Sequence, residues 1–210
     1  MPDAALQTEI AKLLADRQTR DRRGLFFAEG VRNVIRAADA GMTFHRVIFS
    51  DRLLINPVAR KLVRRMRQAA VPTVPLSPEG LREISRAERA SGVAATVRQR
   101  WARLNDVRPD NGLCWILLDR VRSPGNLGTL IRSSEAAGGA GFILIGPDPY
   151  APAVVRAAMG ALYRQRFVRT NWPDLRLWLA RHRVPVIGAA PDGAEEMHAC
   201  DWPRRAPLLV

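Results

Sequence analysis

A chain of 210 residues with 47% apolar and 25% charged side chains has the material for one large folded domain or two modest ones, and that balance excludes global disorder. Its 33 basic residues outnumber 20 acidic ones for a net charge of +13, an excess that attracts polyanions, nucleic acid above all. No apolar run approaches the roughly 18–20 residues of a membrane span, and Cys114 and Cys200 form neither a disulfide framework nor a metal site, so a reduced, cytoplasmic protein without a membrane partner is expected.

The apolar spacing of Leu6, Ile10, Leu13 and Leu14 predicts an opening amphipathic helix. A basic stretch with Arg17, Arg20, Arg22 and Arg23 follows and ends at Gly24. Leu25–Ala28 reads as a strand, Val31–Ala38 as a helix, and Val47–Phe49 as a second strand. A helix then runs through Val58, Leu62, Val63 and Met66. Val71–Val74 is a third strand, Leu81–Ile84 a short helix, and Ser91–Val97 a fourth strand. Alternating strands and helices of this kind make an α/β layer domain.

Asn105–Gly112 is polar and rich in turn formers, as an interdomain linker would be. Beyond it the pattern restarts. Trp115–Leu118 and Phe142–Ile145 are continuous apolar runs, the signature of strands buried on both faces. Between them lies Ser123–Gly128, read as a loop, and a helix over Thr129–Ala137. A helix from Val154, a strand at Phe167–Val168, a helix over Leu175–Ala180, a strand at Val184–Ile187 and a strand starting at Pro207 complete the chain. The charge is uneven: residues 1–105 hold 20 basic and 10 acidic side chains, the remainder 13 and 10. Polyanion binding is therefore expected of the first half.

The segment from Leu118 to Gly138 contains the strongest chemical pattern: strand, rigid turn, helix. Pro124 and Gly125 suit a tight turn, Asn126 can cap or hold the loop, and Arg132 lies one turn into the expected helix. A turn followed by a solvent-facing arginine would explain the same residues generically. Their order is more specific. Asp119, Val121, Pro124, Asn126, Gly128 and Arg132 resemble the first signature motif of the SpoU or TrmH family, within the SPOUT class of RNA methyltransferases. Gly146 and Ala157–Leu162 resemble the segments that follow it. Arg22–Gly30 resembles the start of the family's substrate-binding domain, and Ser91–Val93 its last strand.

The resemblance implies an α/β fold in two parts: a small basic RNA substrate-binding domain over residues 1–105, a linker at 106–112, and a SPOUT-type domain with a parallel sheet over 113–210. It implies transfer of a methyl group from S-adenosylmethionine to a ribose 2′-hydroxyl of RNA, by analogy ribosomal RNA, with a homodimer as the usual assembly. It places Asn126 and Arg132 in the catalytic centre. Ala189 and Ala190 are its cofactor contacts within this sequence. The family's Gly-x-Glu-x-x-Gly loop and its Asn- and Ser-containing loop do not occur before Val210, so the second domain is expected to be incomplete, without its trefoil-knot segment. A shortened sequence is the expected cause, with weak cofactor binding by these residues alone; a non-catalytic RNA-binding protein on the same scaffold is the alternative.

Arg60, Lys61, Arg64, Arg65 and Arg67 share one expected helix, where like charges four residues apart repel. A phosphate backbone would relieve that repulsion, and so would simple solvation. Arg20, Arg22, Arg23, Arg60, Arg64 and Arg65 are the expected RNA contacts. Phe26 and Phe27 read as core. His45, His182 and His198 are isolated and suggest neither metal nor triad. A nucleotide-binding oxidoreductase with Asp148 on a ribose is disfavoured, because Pro124–Gly128 lacks the Gly-x-Gly-x-x-Gly spacing.

Overall fold

A computed structural model describes residues 2–108, 113–190, 192–193, 195–196, 198–201 and 208–209. Two compact units are present, one formed by Met1–Gln99 with Tyr150–Tyr163, the other by Arg100–Pro149 with Arg164–Val210. The division therefore falls at Gln99–Arg100 rather than at residue 105. The reason is backbone pairing and burial: the Ala102 N–H donates to the Phe167 carbonyl at 2.8 Å. Val107 is buried in the second core, and the Trp115 indole N–H donates to the Arg108 carbonyl at 3.1 Å. Of the expected linker, residues 109–112 lie outside the described residues.

In the first unit the helices α1 (Pro2–Ala15) and α2 (Arg17–Arg23) precede strand β1 (Leu25–Glu29). Then come α3 (Val31–Asp39), β2 (Phe44–Phe49), α4 (Pro57–Gln68), β3 (Thr73–Pro75), α5 (Pro78–Ile84) and β4 (Val93–Arg98). The sheet order is β1-β4-β2-β3. β4 pairs antiparallel with both β1 and β2, and β2 runs parallel to β3. Leu6, Ile10, Phe27, Ile48, Leu81 and Ile84 pack as one core between helices α1 and α5 and the sheet. On Phe26, fully buried, the rings of Tyr150 and Tyr163 lie at 4.7 and 6.4 Å between centroids, which is how the segment Tyr150–Tyr163 joins this unit. Phe26 and Phe27 are core, as the sequence indicated.

The second unit holds β5 (Trp115–Asp119), α6 (Pro124–Ala137), β6 (Gly141–Ile145), β7 (Phe167–Arg169), α8 (Trp172–His182), β8 (Val186–Ile187) and β9 (Leu208–Leu209); α7 (Pro152–Ala157) lies in the first. Its sheet has the order β7-β6-β5-β9-β8 and every pairing is parallel. Parallel strands need a covered sheet, and Trp115, Leu117, Ile143 and Val168 bury against Leu175 and Trp178 of α8. Among the described residues no helix is long and apolar enough to cross a membrane.

Helix starts differ most from the sequence reading. Asn56, Ser77, Ser123 and Asn171 each cap a helix with a side-chain oxygen, and a proline follows within two residues. A capping oxygen satisfies an otherwise orphaned N–H, and proline needs none. These helices therefore begin ahead of the start read from apolar spacing, by one residue in α4, by three in α5 and α8 and by five in α6. The basic stretch Arg17–Arg23 is itself a helix, capped by Asp16 and ended by Gly24 in the left-handed region.

Candidate functional site

In a parallel sheet all strands end on one edge, and the segments leaving those ends form the usual ligand crevice. Here these segments are Arg120–Ser123 after β5, Gly146–Asp148 after β6 and Gly188–Ala190 after β8. Asp119 and Ile145 are paired at the ends of adjacent strands, and the Arg120 N–H donates to the Ile145 carbonyl at 2.9 Å. Arg120 has a left-handed backbone, φ 52°, which turns the chain away from the sheet. Its guanidinium lies on the neighbouring Asp119 carboxylate at 3.2 Å.

Ser123 Oγ accepts the Asn126 backbone N–H at 3.3 Å and starts α6 at Pro124. This corrects two expectations. Asn126 is not the cap but the third helical residue, and Gly128 lies inside the helix rather than in a loop. Arg132 consequently lies in the third turn, about 9 Å along the axis from Asn126 at 1.5 Å per residue. The helix buries Leu127, Gly128, Ile131 and Ser134 and exposes Asn126, Thr129 and Arg132. Arg132 Nη2 donates to Thr129 Oγ1 at 3.2 Å. Because helical side chains lean towards the N-terminus, this bond holds the guanidinium on the side facing Asn126. Thr129 escaped the sequence reading; its spacing of three residues before Arg132 was the available signal.

Ala189 and Ala190, just past β8, are exposed and follow Gly188, around which a side chain would meet nothing within 4 Å. A small-residue segment of this kind leaves its backbone groups accessible at the edge where β5 also ends.

The expected RNA contacts separate into three kinds. Arg20 is no surface group: it is 5% exposed and its Nη1 donates to the Leu13 carbonyl at 2.7 Å, tying α2 to the end of α1. Arg22 and Arg23 are exposed, with Arg23 in an ion pair with Glu9 at 3.1 Å; Arg46 meets the other oxygen of that carboxylate at 2.9 Å. Arg60, Arg64 and Arg67 line one flank of α4, facing Phe49, Asp51 and Leu54 across a cleft of about 330 Å³. Lys61 and Arg65 line the opposite flank beside Asp39. The five cations thus point two ways, which lessens the repulsion between neighbours.

Comparison with known proteins divides the chain in sequence order. Residues 9–95 match the family model described as an MRM3-like substrate binding domain, and residues 114–210 match the SpoU rRNA Methylase family model. A 23S rRNA (uridine(2479)-2'-O)-methyltransferase of Streptomyces viridochromogenes is 30% identical over 193 residues, 90% of this chain and 66% of the relative. The mitochondrial rRNA methyltransferase 3A of Danio rerio is 28% identical over 83% of this chain and 41% of its own. The chain thus spans two thirds or less of the length of these relatives. Among solved structures, the AdoMet-bound rRNA methyltransferase from Sinorhizobium meliloti matches with a TM-score of 0.85 at 29% identity, covering 97% of this chain and 76% of that one. The SpoU methyltransferase AviRb from Streptomyces viridochromogenes, in complex with AdoMet, matches at 0.83 and 28%, covering 98% and 80%.

Proposed function

The chain belongs to the SpoU/TrmH family of RNA methyltransferases, and from that premise we propose that it methylates a ribose 2′-hydroxyl of ribosomal RNA with S-adenosylmethionine as methyl donor. The observation that carries the reading is that two family models tile the chain in order, a substrate-binding module over residues 9–95 and a methylase module over residues 114–210. The net charge of +13 fits a polyanionic substrate.

Bound at the carboxyl edge of the parallel sheet, S-adenosylmethionine supplies an electrophilic methyl on its sulfonium. Gly188, Ala189 and Ala190 fit one wall of its site, because they put accessible backbone and no bulky side chain there. A ribose hydroxyl is a weak nucleophile at neutral pH, so positioning and charge stabilisation carry much of the work. Arg132 is assigned as the clamp on the RNA phosphate or on the developing alkoxide. Guanidinium holds its proton too firmly to act as a proton acceptor but is a strong bidentate donor. Asn126, exposed like Arg132 and nearer the start of α6, is assigned to orient the ribose through its amide. Thr129 preorganises Arg132. On this reading Arg22, Arg23, Arg64 and Arg65 add phosphate contacts.

The test is transfer of labelled methyl by the full-length protein to separately supplied ribosomal and transfer RNA. Label in ribosomal RNA alone is the expected result. Label in transfer RNA alone overturns the substrate, and label in neither overturns the activity.

A further inference from the structure

The three arginines on the cleft flank of α4 do different things. Arg60 donates through Nε to the Leu54 carbonyl and through Nη2 to the Asp51 carbonyl at 3.3 Å, so it braces the turn that forms the opposite wall. Arg67 donates through Nε to Thr73 Oγ1 at 3.2 Å, and its guanidinium lies 5.6 Å from the centroid of the Phe49 ring. One face of that plane is backed by an aromatic ring and its rotation is stopped by Thr73. Arg64 is exposed, and among the described residues its side chain makes no hydrogen bond or ion pair. The floor is apolar, from Leu54 and Val63, and the acidic residue Asp51 stands on the rim, where its backbone carbonyl meets Arg60.

A site for phosphate alone would gain nothing from an apolar floor and would be opposed by Asp51. A stacked sequence of paired bases cannot enter a cleft of about 330 Å³. A single unpaired nucleotide satisfies every wall. Its base lies flat on the open face of Arg67, its amino hydrogens point to an acceptor in Asp51, and its phosphate meets Arg64. We propose that the α4 cleft captures one unpaired nucleotide of the RNA, so that the first unit recognises a bulge or loop rather than a regular duplex. The inference rests on the reading of the chain as an RNA-binding enzyme and adds to it where on the RNA the protein docks.

Two hairpin RNAs, identical except for one unpaired adenosine, separate the possibilities when titrated by fluorescence anisotropy against the full chain at fixed salt. The bulged hairpin should bind about tenfold tighter, the scale of one base stacked on a planar side chain. Arg67→Lys keeps the charge and removes the plane. It should bring the bulged hairpin down to the affinity of the paired one and leave the paired one unchanged. Arg65→Ala, on the other flank, should weaken both hairpins equally. Equal affinity of the two hairpins for the unmodified chain, or equal losses on both in Arg67→Lys, overturns the cleft while leaving RNA binding intact. Binding of neither hairpin at low salt overturns the RNA-binding reading and the cleft with it.

Discussion

Replacing Gly92 by alanine tests whether the turn behind the α4 cleft is built on a backbone approach that only glycine allows. A Cβ at this position would lie 2.3 Å from Leu54 N, 2.4 Å from the Leu53 carbonyl carbon and 2.5 Å from Leu54 Cα. All three are backbone atoms, so no side chain can swing aside. The residue also has φ +88°, where an L side chain is strained by about 1–2 kcal/mol. Displacing the packed turn adds about 1–3 kcal/mol, the usual cost of overpacking. The sum, about 2–5 kcal/mol, is a large share of a typical domain's stability. The Gly92 carbonyl also accepts the Ser50 N–H at 2.9 Å just before β4 begins, so the displacement acts on one of the two inner strands of the first sheet. Gly24 is the control: its φ is +61°, but a Cβ there meets nothing within 4 Å, so Gly24→Ala costs only about 1 kcal/mol. Amide hydrogen exchange of Ala94–Val97 reads the difference. Gly92→Ala should accelerate exchange by roughly thirtyfold or more, and Gly24→Ala by about fivefold. Equal acceleration in the two variants would show that the turn yields easily and that contact with Leu54 is not what demands glycine.

Other expectations follow from single residues. Arg132→Ala should lower single-turnover methyl transfer by about a hundredfold or more without changing the melting temperature, because the residue is exposed; wild-type turnover would remove it from the mechanism. Arg132→Lys should keep partial activity that does not climb between about pH 7 and 10, whereas a steep rise would identify the position as a general base. Among the described residues the buried Tyr163 hydroxyl has no hydrogen-bond partner, and desolvation pushes its pKa upwards. Tyr163→Phe should therefore leave stability unchanged or raise it by about 1 kcal/mol in calorimetric melting; a clear loss would reveal a partner for the oxygen. Burial, then Arg46, lowers the pKa of His45, so the folded state prefers the neutral ring. That contribution is present above its unfolded value of 6.5 and is lost as pH falls below it. His45→Gln should flatten the stability profile there, and an unchanged slope would assign it to other groups.

The strands were legible because their signal is local. Trp115–Leu118 and Phe142–Ile145 are unbroken apolar runs, and both became the buried parallel strands β5 and β6. Helix starts were legible too, but in a different alphabet. Apolar periodicity began the helix at Thr129, whereas Ser123 followed by Pro124 marks its true start, and the same cap-then-proline code stands before α4, α5 and α8. Arg20 shows what composition cannot reveal. It looks like its neighbours Arg22 and Arg23, yet its place on a short helix turns it inwards onto the Leu13 carbonyl. The sorting of Arg60, Arg64 and Arg67 from Lys61 and Arg65 was readable as helical spacing. Their pairing with Asp51 and Phe49 was not, because the cleft exists only once β2 lies beside α4. Likewise, nothing local announces that Tyr150 and Tyr163 stack on Phe26, more than a hundred residues earlier.

The central claim is chemical: the methyl group ends on a ribose oxygen, placed there by the exposed face of α6. Ribosomal RNA labelled by the full-length protein, digested to nucleosides and analysed by mass spectrometry, tests it directly. The account predicts a single 2′-O-methylated nucleoside carrying the label, and its loss with Arg132→Ala. Label on a base instead of the ribose, or an undiminished 2′-O-methyl signal in that variant, would contradict it.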